Sequence, residues 1–390
     1  MLISGIVESF FLIFTGAAVL ATAALYTRQP LLVAYIAIGC LLGPHGLKMV
    51  SDAEMLSEIS EIGIIFLLFL VGLDLQPTKL RNMLGEGLLT AIGSTLVFFA
   101  LGYGLMLVFG FSPAEAIVTG IALTFSSTII GIKLLPTTVL HHRHIGEIVV
   151  SMLLIQDLLA ILALILLAGY GGTVAQTLTN LGTVALALPL LVGTAFVGVR
   201  YCVLPLIQRF DAFHEFIFLL ALGWCLGLAT FAAFIGLSLE IGAFVAGVAL
   251  AISPISQYIA ESLRPLRDFF LVLFFFSVGA ELDIATMMSV LLPILILAMA
   301  VVLVKPLVFA GLLRWQGETS ETSWETGYRL GQASEFSLLL SYVAAETALL
   351  GHEAAHVIQG ATVLTMILST YAVIFRYPSP IAVSQRLRRD

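Results

Sequence analysis

Long apolar runs separated by short polar intervals fill the chain from end to end. A membrane-crossing helix needs about 20 mostly apolar residues. Thirteen segments qualify, some of them short or interrupted: 6–26, 30–47, 59–76, 87–109, 114–135, 147–168, 180–199, 215–235, 238–252, 268–282, 287–313, 325–349 and 356–376. The pattern predicts an all-α polytopic membrane protein. Composition agrees, since 60% of the 390 residues are hydrophobic and only 11% are charged, against about 25% charged in a soluble domain.

Basic residues fall in alternate intervals. Arg28, Lys79 with Arg81, Lys133 with Arg143, Arg200 with Arg209, Arg264 with Arg267, and Arg314 with Arg329 share one side, while the opposite intervals hold only Lys48. The tail adds Arg376, Arg386, Arg388 and Arg389. By the positive-inside rule the N-terminus lies outside and the C-terminus lies in the cytoplasm. The first apolar run follows Glu8 without a basic flank or a small-residue cleavage site, so it reads as a retained helix. Cys40, Cys202 and Cys225 lie in or beside apolar segments and form no disulfide or metal-ligand spacing.

The chain repeats itself. Residues 60–75, SEIGIIFLLFLVGLDL, resemble residues 267–282, RDFFLVLFFFSVGAEL, with Gly72 matching Gly279 at an offset of 207. A looser match pairs 34–44 with 242–254, where the same offset from Gly39 falls one residue short of Gly247. The copies lie in the second and third spans and in the ninth and tenth. An odd displacement makes them cross in opposite directions, as in the inverted repeats of many secondary transporters. The expected organisation is a transmembrane domain over 1–376, with repeat one at 6–168, a linker helix at 180–199 and repeat two at 215–376. A basic cytoplasmic tail follows at 377–390.

The same offset aligns two polar interruptions, TFSST (124–128) and GQASEFS (331–337). Ser127 maps to Ser334 and Thr128 to Glu335. Unwound backbone at membrane depth is tolerated where it is buried or lines a cavity, so two broken, crossed helices are expected. Glu335 is placed to offset the positive ends of half-helices meeting there.

Two ionisable residues break the repeat symmetry. Asp157 lies in the apolar run 148–167 and maps to Leu364; Lys305 maps to Phe98. A charge at the centre of a membrane helix costs roughly 2.5–3.5 kcal/mol on insertion scales. Asp157 therefore reads as an ion or proton site, and a direct Asp157–Lys305 pair is expected without bound cation.

On these residues the chain resembles the membrane domain of the CPA2 superfamily of monovalent cation/proton antiporters, closest to the Kef-type potassium/proton antiporters. The resemblance rests on LLIQDLLAI around Gln156 and Asp157, GPHGL (43–47), EIGIIFLLFLVGLDL (61–75), EIGAFVAG (240–247), LRDFFLVLFFFSVG (266–279), LVKPLVF (303–309) and GQASEF (331–336). It implies the two-repeat antiporter fold in a bacterial-type inner membrane, a homodimer among membrane lipids, and one bundle sliding against another. It gives Asp157 the cation- and proton-binding role, with potassium or sodium as cargo, and Lys305 the competing role. Gln156, Thr124, Ser126 and Ser127 become neighbouring ligands, beside Ser334 and Glu335 at the second break. Gln156 stands where electrogenic sodium relatives carry an aspartate, which resembles the electroneutral, potassium-preferring branch.

Two departures matter. Kef proteins continue into a cytoplasmic nucleotide-binding domain, and no G-x-G-x-x-G follows a strand here, so the expectation is either a truncated chain, its regulatory domain separate or deleted, or a naturally short member. The stretch YIAESLRPLRD (258–268) lacks the Kef acidic regulatory motif, which argues against glutathione-type gating. No cofactor, nucleic-acid partner or enzymatic signature is read from the chain. Sodium/proton antiport and a gated potassium channel remain the alternatives. The His141, His142 and His144 cluster with Arg143 reads as a solvated loop, and His45, His352 and His356 read as structural.

Overall fold

A computed structural model describes residues 6–50, 53–74, 77–136, 144–168, 174–210, 213–253, 255–347 and 349–380. Its regular elements are helices. In order they are α1 (Ile6–Tyr26), α2 (Leu31–Leu42), α3 (Ala53–Asp74), α4 (Pro77–Val108), α5 (Pro113–Ala122), α6 (Thr128–Lys133), α7 (His144–Ala168), α8 (Val174–Gly198) and α9 (Leu204–Arg209). There follow α10 (His214–Phe234), α11 (Leu239–Ala251), α12 (Ser256–Ala280), α13 (Ile284–Ser289), α14 (Leu291–Trp315), α15 (Ser320–Arg329), α16 (Glu335–Glu346) and α17 (His352–Arg376). Among the described residues one π-helical stretch, Val199–Val203, joins α8 to α9. His141, His142 and Arg143 lie outside the described residues, as does the tail from 381.

Among the described residues seven helices are long and apolar enough to cross a membrane. They coincide with seven of the expected spans. The other expected spans fall on the shorter helices α2 and α11, on the interrupted pairs α5 with α6 and α15 with α16, and within α3 and α12, which carry more charge. Several helices start earlier than expected, among them α3 at Ala53, α12 at Ser256 and α17 at His352. The span predicted at 287–313 is divided at Val290, and its first residues belong to the short helix α13, which Asp283 caps by accepting from the Ala285 N–H at 3.0 Å.

Large apolar side chains are exposed while several polar and charged ones are buried. Phe11, Val19, Leu186 and Phe234 are exposed, whereas Gln156, Lys305, Arg329 and Gln332 are buried. In water this would be an aggregation hazard; it is the arrangement a lipid solvent favours.

The chain divides into two compact units. One comprises residues 52–82 and 161–277. There α3 packs on α11, and α11 packs on α8 and α10. The α3–α11 approach is set by glycine: a Cβ at Gly72 would strike the Phe244 carbonyl oxygen, and one at Gly247 would strike the Phe69 carbonyl oxygen. The Phe66 and Phe270 rings stack beside this contact at 4.9 Å.

The other unit comprises residues 1–51, 83–160 and 278–390. It contains both interruptions, the Asp157 portion of α7, and α14 and α17. Its core includes Phe98, Val149, Met152, Leu153, Ile155, Phe309 and Leu330, drawn from α4, α7, α14 and the second interruption. Gly279 lies so close to α2 that a Cβ would strike the Ile36 carbonyl oxygen. In the register that pairs Gly39 with Gly247, Ile36 is the equivalent of Phe244. The Gly72–Phe244 contact of one unit is therefore repeated as the Gly279–Ile36 contact of the other, with the two halves of the chain exchanged.

Candidate functional site

Helix α5 starts on a Ser112–Glu115 capping box and ends at Ala122. Its end is local chemistry: the Thr124 hydroxyl donates to the Ile121 carbonyl at 2.7 Å, a side-chain bond that competes with helix continuation. Ser127 then restarts the helix as the N-cap of α6, accepting from the Ile130 N–H. The second interruption is built alike. Helix α15 ends at Arg329, and Ser334 caps α16 by accepting from the Phe336 N–H. The two caps, Ser127 and Ser334, are repeat equivalents.

The interruptions are bonded to each other. The Ser126 hydroxyl donates to the Leu330 carbonyl at 2.8 Å, and the Ser337 hydroxyl to the Ala122 carbonyl at 2.6 Å. The Gln332 amide reaches the Ser127 carbonyl at 3.4 Å. The Ile129 N–H donates to Glu335 Oε1 at 3.4 Å, so the carboxylate of α16 faces backbone N–H groups of α6.

Lys305 closes the crossing. Its Nζ donates to the Phe125 carbonyl at 2.6 Å, the Gln332 carbonyl at 3.0 Å and Ser126 Oγ at 3.3 Å. It also lies 5.1 Å from the centroid of the Phe98 ring, a cation–π contact that Phe309 supports edge-on. Phe98 is the repeat equivalent of Lys305. A cation here neutralises the carbonyl ends exposed by two helix breaks.

Asp157 is buried on α7, beside the start of α6. Both carboxylate oxygens accept from the Thr128 hydroxyl, at 3.1 and 3.2 Å. The hydrogen bonds of Lys305 run to the three oxygens of the crossing; the direct Asp157–Lys305 pair remains an expectation from the sequence. Gln156 Oε1 accepts the Ser126 N–H at 2.9 Å, and Nε2 is a buried donor. Gln156 thereby positions the first interruption.

Sequence reasoning missed several participants. Gln332 and Thr128 stand inside the two polar motifs and were visible as such. The carbonyls of Phe125 and Gln332 leave no trace in side-chain identity. Arg329 was read only as an interval charge. It is fully buried, donates to Glu325 Oε1 from Nε and Nη2 at 3.0 and 2.6 Å, and binds the carbonyls of Leu134 and Pro378 at 2.8 and 2.7 Å. It thereby pins the end of α6 and the segment after α17 onto α15.

A helical protein with exposed apolar side chains and two equivalent interrupted helices, bonded to each other beside buried ionisable side chains, has features of an ion-coupled membrane transporter. The chain belongs to the sodium/hydrogen exchanger family, whose transmembrane domain matches residues 10–375. Its fold is similar to that of the sodium proton antiporter MjNhaP1 from Methanocaldococcus jannaschii at pH 8, with a TM-score of 0.69 and 16% identity over 97% of this chain and 96% of that one. Family membership makes the protein a multi-pass membrane protein of the monovalent cation/proton antiporter class.

Proposed function

We propose that the protein exchanges one potassium ion for one proton without net charge movement, using Asp157 as the alternating site. Deprotonated, Asp157 holds a partly dehydrated cation; protonated, it loses the charge that holds it. One site that takes either occupant couples the two fluxes. The observation that carries this reading is the burial of Asp157 against the first helix break, with its carboxylate served by the neutral Thr128 hydroxyl. Gln156 adds no second titrating group beside it, which fits electroneutral exchange. Lys305, bonded to carbonyls on both breaks, acts as a fixed positive charge that holds the crossing together.

Thirteen spans, an outside N-terminus, a homodimer in a bacterial-type inner membrane and sliding of one bundle against another belong to the same proposal. They follow from the charge alternation and the Kef resemblance. A regulatory nucleotide-binding partner is part of that resemblance as well.

Sodium is the second reading, favoured by the matched family and by the fold neighbour, a sodium proton antiporter. Proteoliposomes with an imposed pH gradient test both. Proton movement on adding potassium, weak with sodium and lost in Asp157→Asn, supports the proposal. An equal or larger sodium response moves the protein to the sodium branch. Cation flux that persists in Asp157→Asn without proton coupling supports a channel instead.

A further inference from the structure

Arg329 is a fully buried charge that the Asp157 mechanism does not use. A buried ion pair is weak evidence for stability, because apolar residues of similar volume often serve as well. What an arginine adds is geometry: a planar fork, always charged, with donors in fixed directions. Here the fork reaches three elements. Nε and Nη2 donate to Glu325, one turn back on α15, at 3.0 and 2.6 Å. Nη1 donates to the Leu134 carbonyl at 2.8 Å, and Nη2 to the Pro378 carbonyl at 2.7 Å.

Leu134 is the C-cap of α6, and Arg329 is the last residue of α15. One guanidinium therefore joins one half-helix of each interruption. Helix α6 has only six residues, roughly one and a half turns. A helix so short is not stable alone, so what grips its ends sets its position. At its start the Thr128 hydroxyl donates to both oxygens of Asp157. At its end the Leu134 carbonyl accepts from Arg329.

The other arm runs along α15 into the second interruption. The residue after Arg329 is Leu330, whose carbonyl accepts the Ser126 hydroxyl at 2.8 Å. Two further on, the Gln332 carbonyl accepts from Lys305 at 3.0 Å. Gly327 fixes the same end of α15 against α14, since a Cβ there would strike the carbonyl of Pro306, the residue after Lys305. Displacing the fork thus displaces groups that face both Asp157 and Lys305.

We propose that Arg329 is a positioning residue for cation binding: its guanidinium holds the half-helices α6 and α15 together, and so keeps Thr128 against Asp157 and the Gln332 carbonyl against Lys305. The effect on transport rests on the antiport reading; the grip on α6 does not.

Arg329→Lys keeps a charge beside Glu325 but loses the fork. Hydrogen exchange tests the grip without transport. Amides of the peptide 128–134 should exchange faster than in the native protein, well below the unfolding temperature. Gly247→Ala, which strains the other compact unit, should leave that peptide unchanged. Native exchange in Arg329→Lys, or equal acceleration in Gly247→Ala, overturns the grip. In proteoliposomes, with whichever of potassium or sodium moves protons in the native protein, Arg329→Lys should raise the cation KM several-fold and change the maximal rate little. A merely structural residue would lower the amount of active protein, and with it the maximal rate, at unchanged KM; that result overturns the proposal. Glu325→Met with Arg329→Met removes both charges together, a change that buried pairs often tolerate. This double variant should fold and still show the raised KM; a native KM in it also overturns the proposal. A native protein in which neither cation moves protons refutes the antiport reading, and the exchange at 128–134 then still decides the grip.

Discussion

Phe125 and Gln332 occupy the same position in the two halves of the chain, and both present their backbone carbonyls to the ammonium of Lys305, at 2.6 and 3.0 Å. The ring under that ammonium, Phe98, is the repeat equivalent of Lys305 itself. Lys305 therefore sits where the two repeats meet, and one unsymmetrical residue serves a symmetrical pair of acceptors. Its first task is to satisfy the helix breaks.

Removing that donor should be costly. In Lys305→Met two buried carbonyls lose a charged partner, at about 1–3 kcal/mol for each unsatisfied group. Lys305→Gln keeps a donor and should be milder. Thermal unfolding in detergent is expected to rank native above Lys305→Gln above Lys305→Met; equal stability of the two variants would contradict the carbonyl-clamp role.

Glycine spacing between α3 and α11 gives an opposed pair of effects. A Cβ at Gly247 meets backbone of Phe69 and Leu73, whereas one at Gly104 meets nothing. Gly247→Ala should destabilise by about 1–3 kcal/mol through overpacking. Gly104→Ala, in the interior of α4, should stabilise by about 0.5–1 kcal/mol through helix propensity. The same unfolding assay reads both signs.

Arg329 and Glu325 form a buried pair on α15, 2.6 Å apart. Removing one partner of such a pair typically costs about 3–5 kcal/mol, because a charge is left uncompensated. Glu325→Gln should show this loss as a lowered Tm. Arg329→Leu should also free the segment after α17, since the Pro378 carbonyl loses its donor. Limited proteolysis near 377–380 is expected to be faster in that variant.

Asp283 provides a pH prediction. The Thr286 hydroxyl at 2.6 Å, and then the Ala285 N–H, hold its carboxyl below the usual aspartate value. A depressed folded pKa stabilises fully above the unfolded value, about 3.9. That contribution is lost as pH falls through the lower folded value. Amide exchange at Ala285, corrected for its intrinsic pH dependence, should accelerate across that interval. Asp283→Asn, which still caps but does not titrate there, should flatten the response.

The helix breaks were legible because hydroxyls and a carboxylate interrupt apolar runs at matched positions, TFSST and GQASEFS, and side-chain caps are written in residue identity. The Gly72 and Gly279 contacts were legible because only glycine permits such an approach, so the repeat survives there most plainly. The partners of Lys305 were not. Carbonyls exist at every residue, so side-chain identity does not single out those of Phe125 and Gln332. The same limit hid the bond by which Gln156 Oε1 accepts the Ser126 backbone N–H.

The most direct test of the central claim is proton release on cation binding. Potassium is added to the purified native protein in weakly buffered detergent at a pH where Asp157 is partly protonated, and the pH is followed. Competition at Asp157 predicts release that saturates with cation binding, shrinks as the starting pH rises, and vanishes in Asp157→Asn. Saturable potassium binding with no proton released, or equal release from the Asp157→Asn variant, would contradict the account.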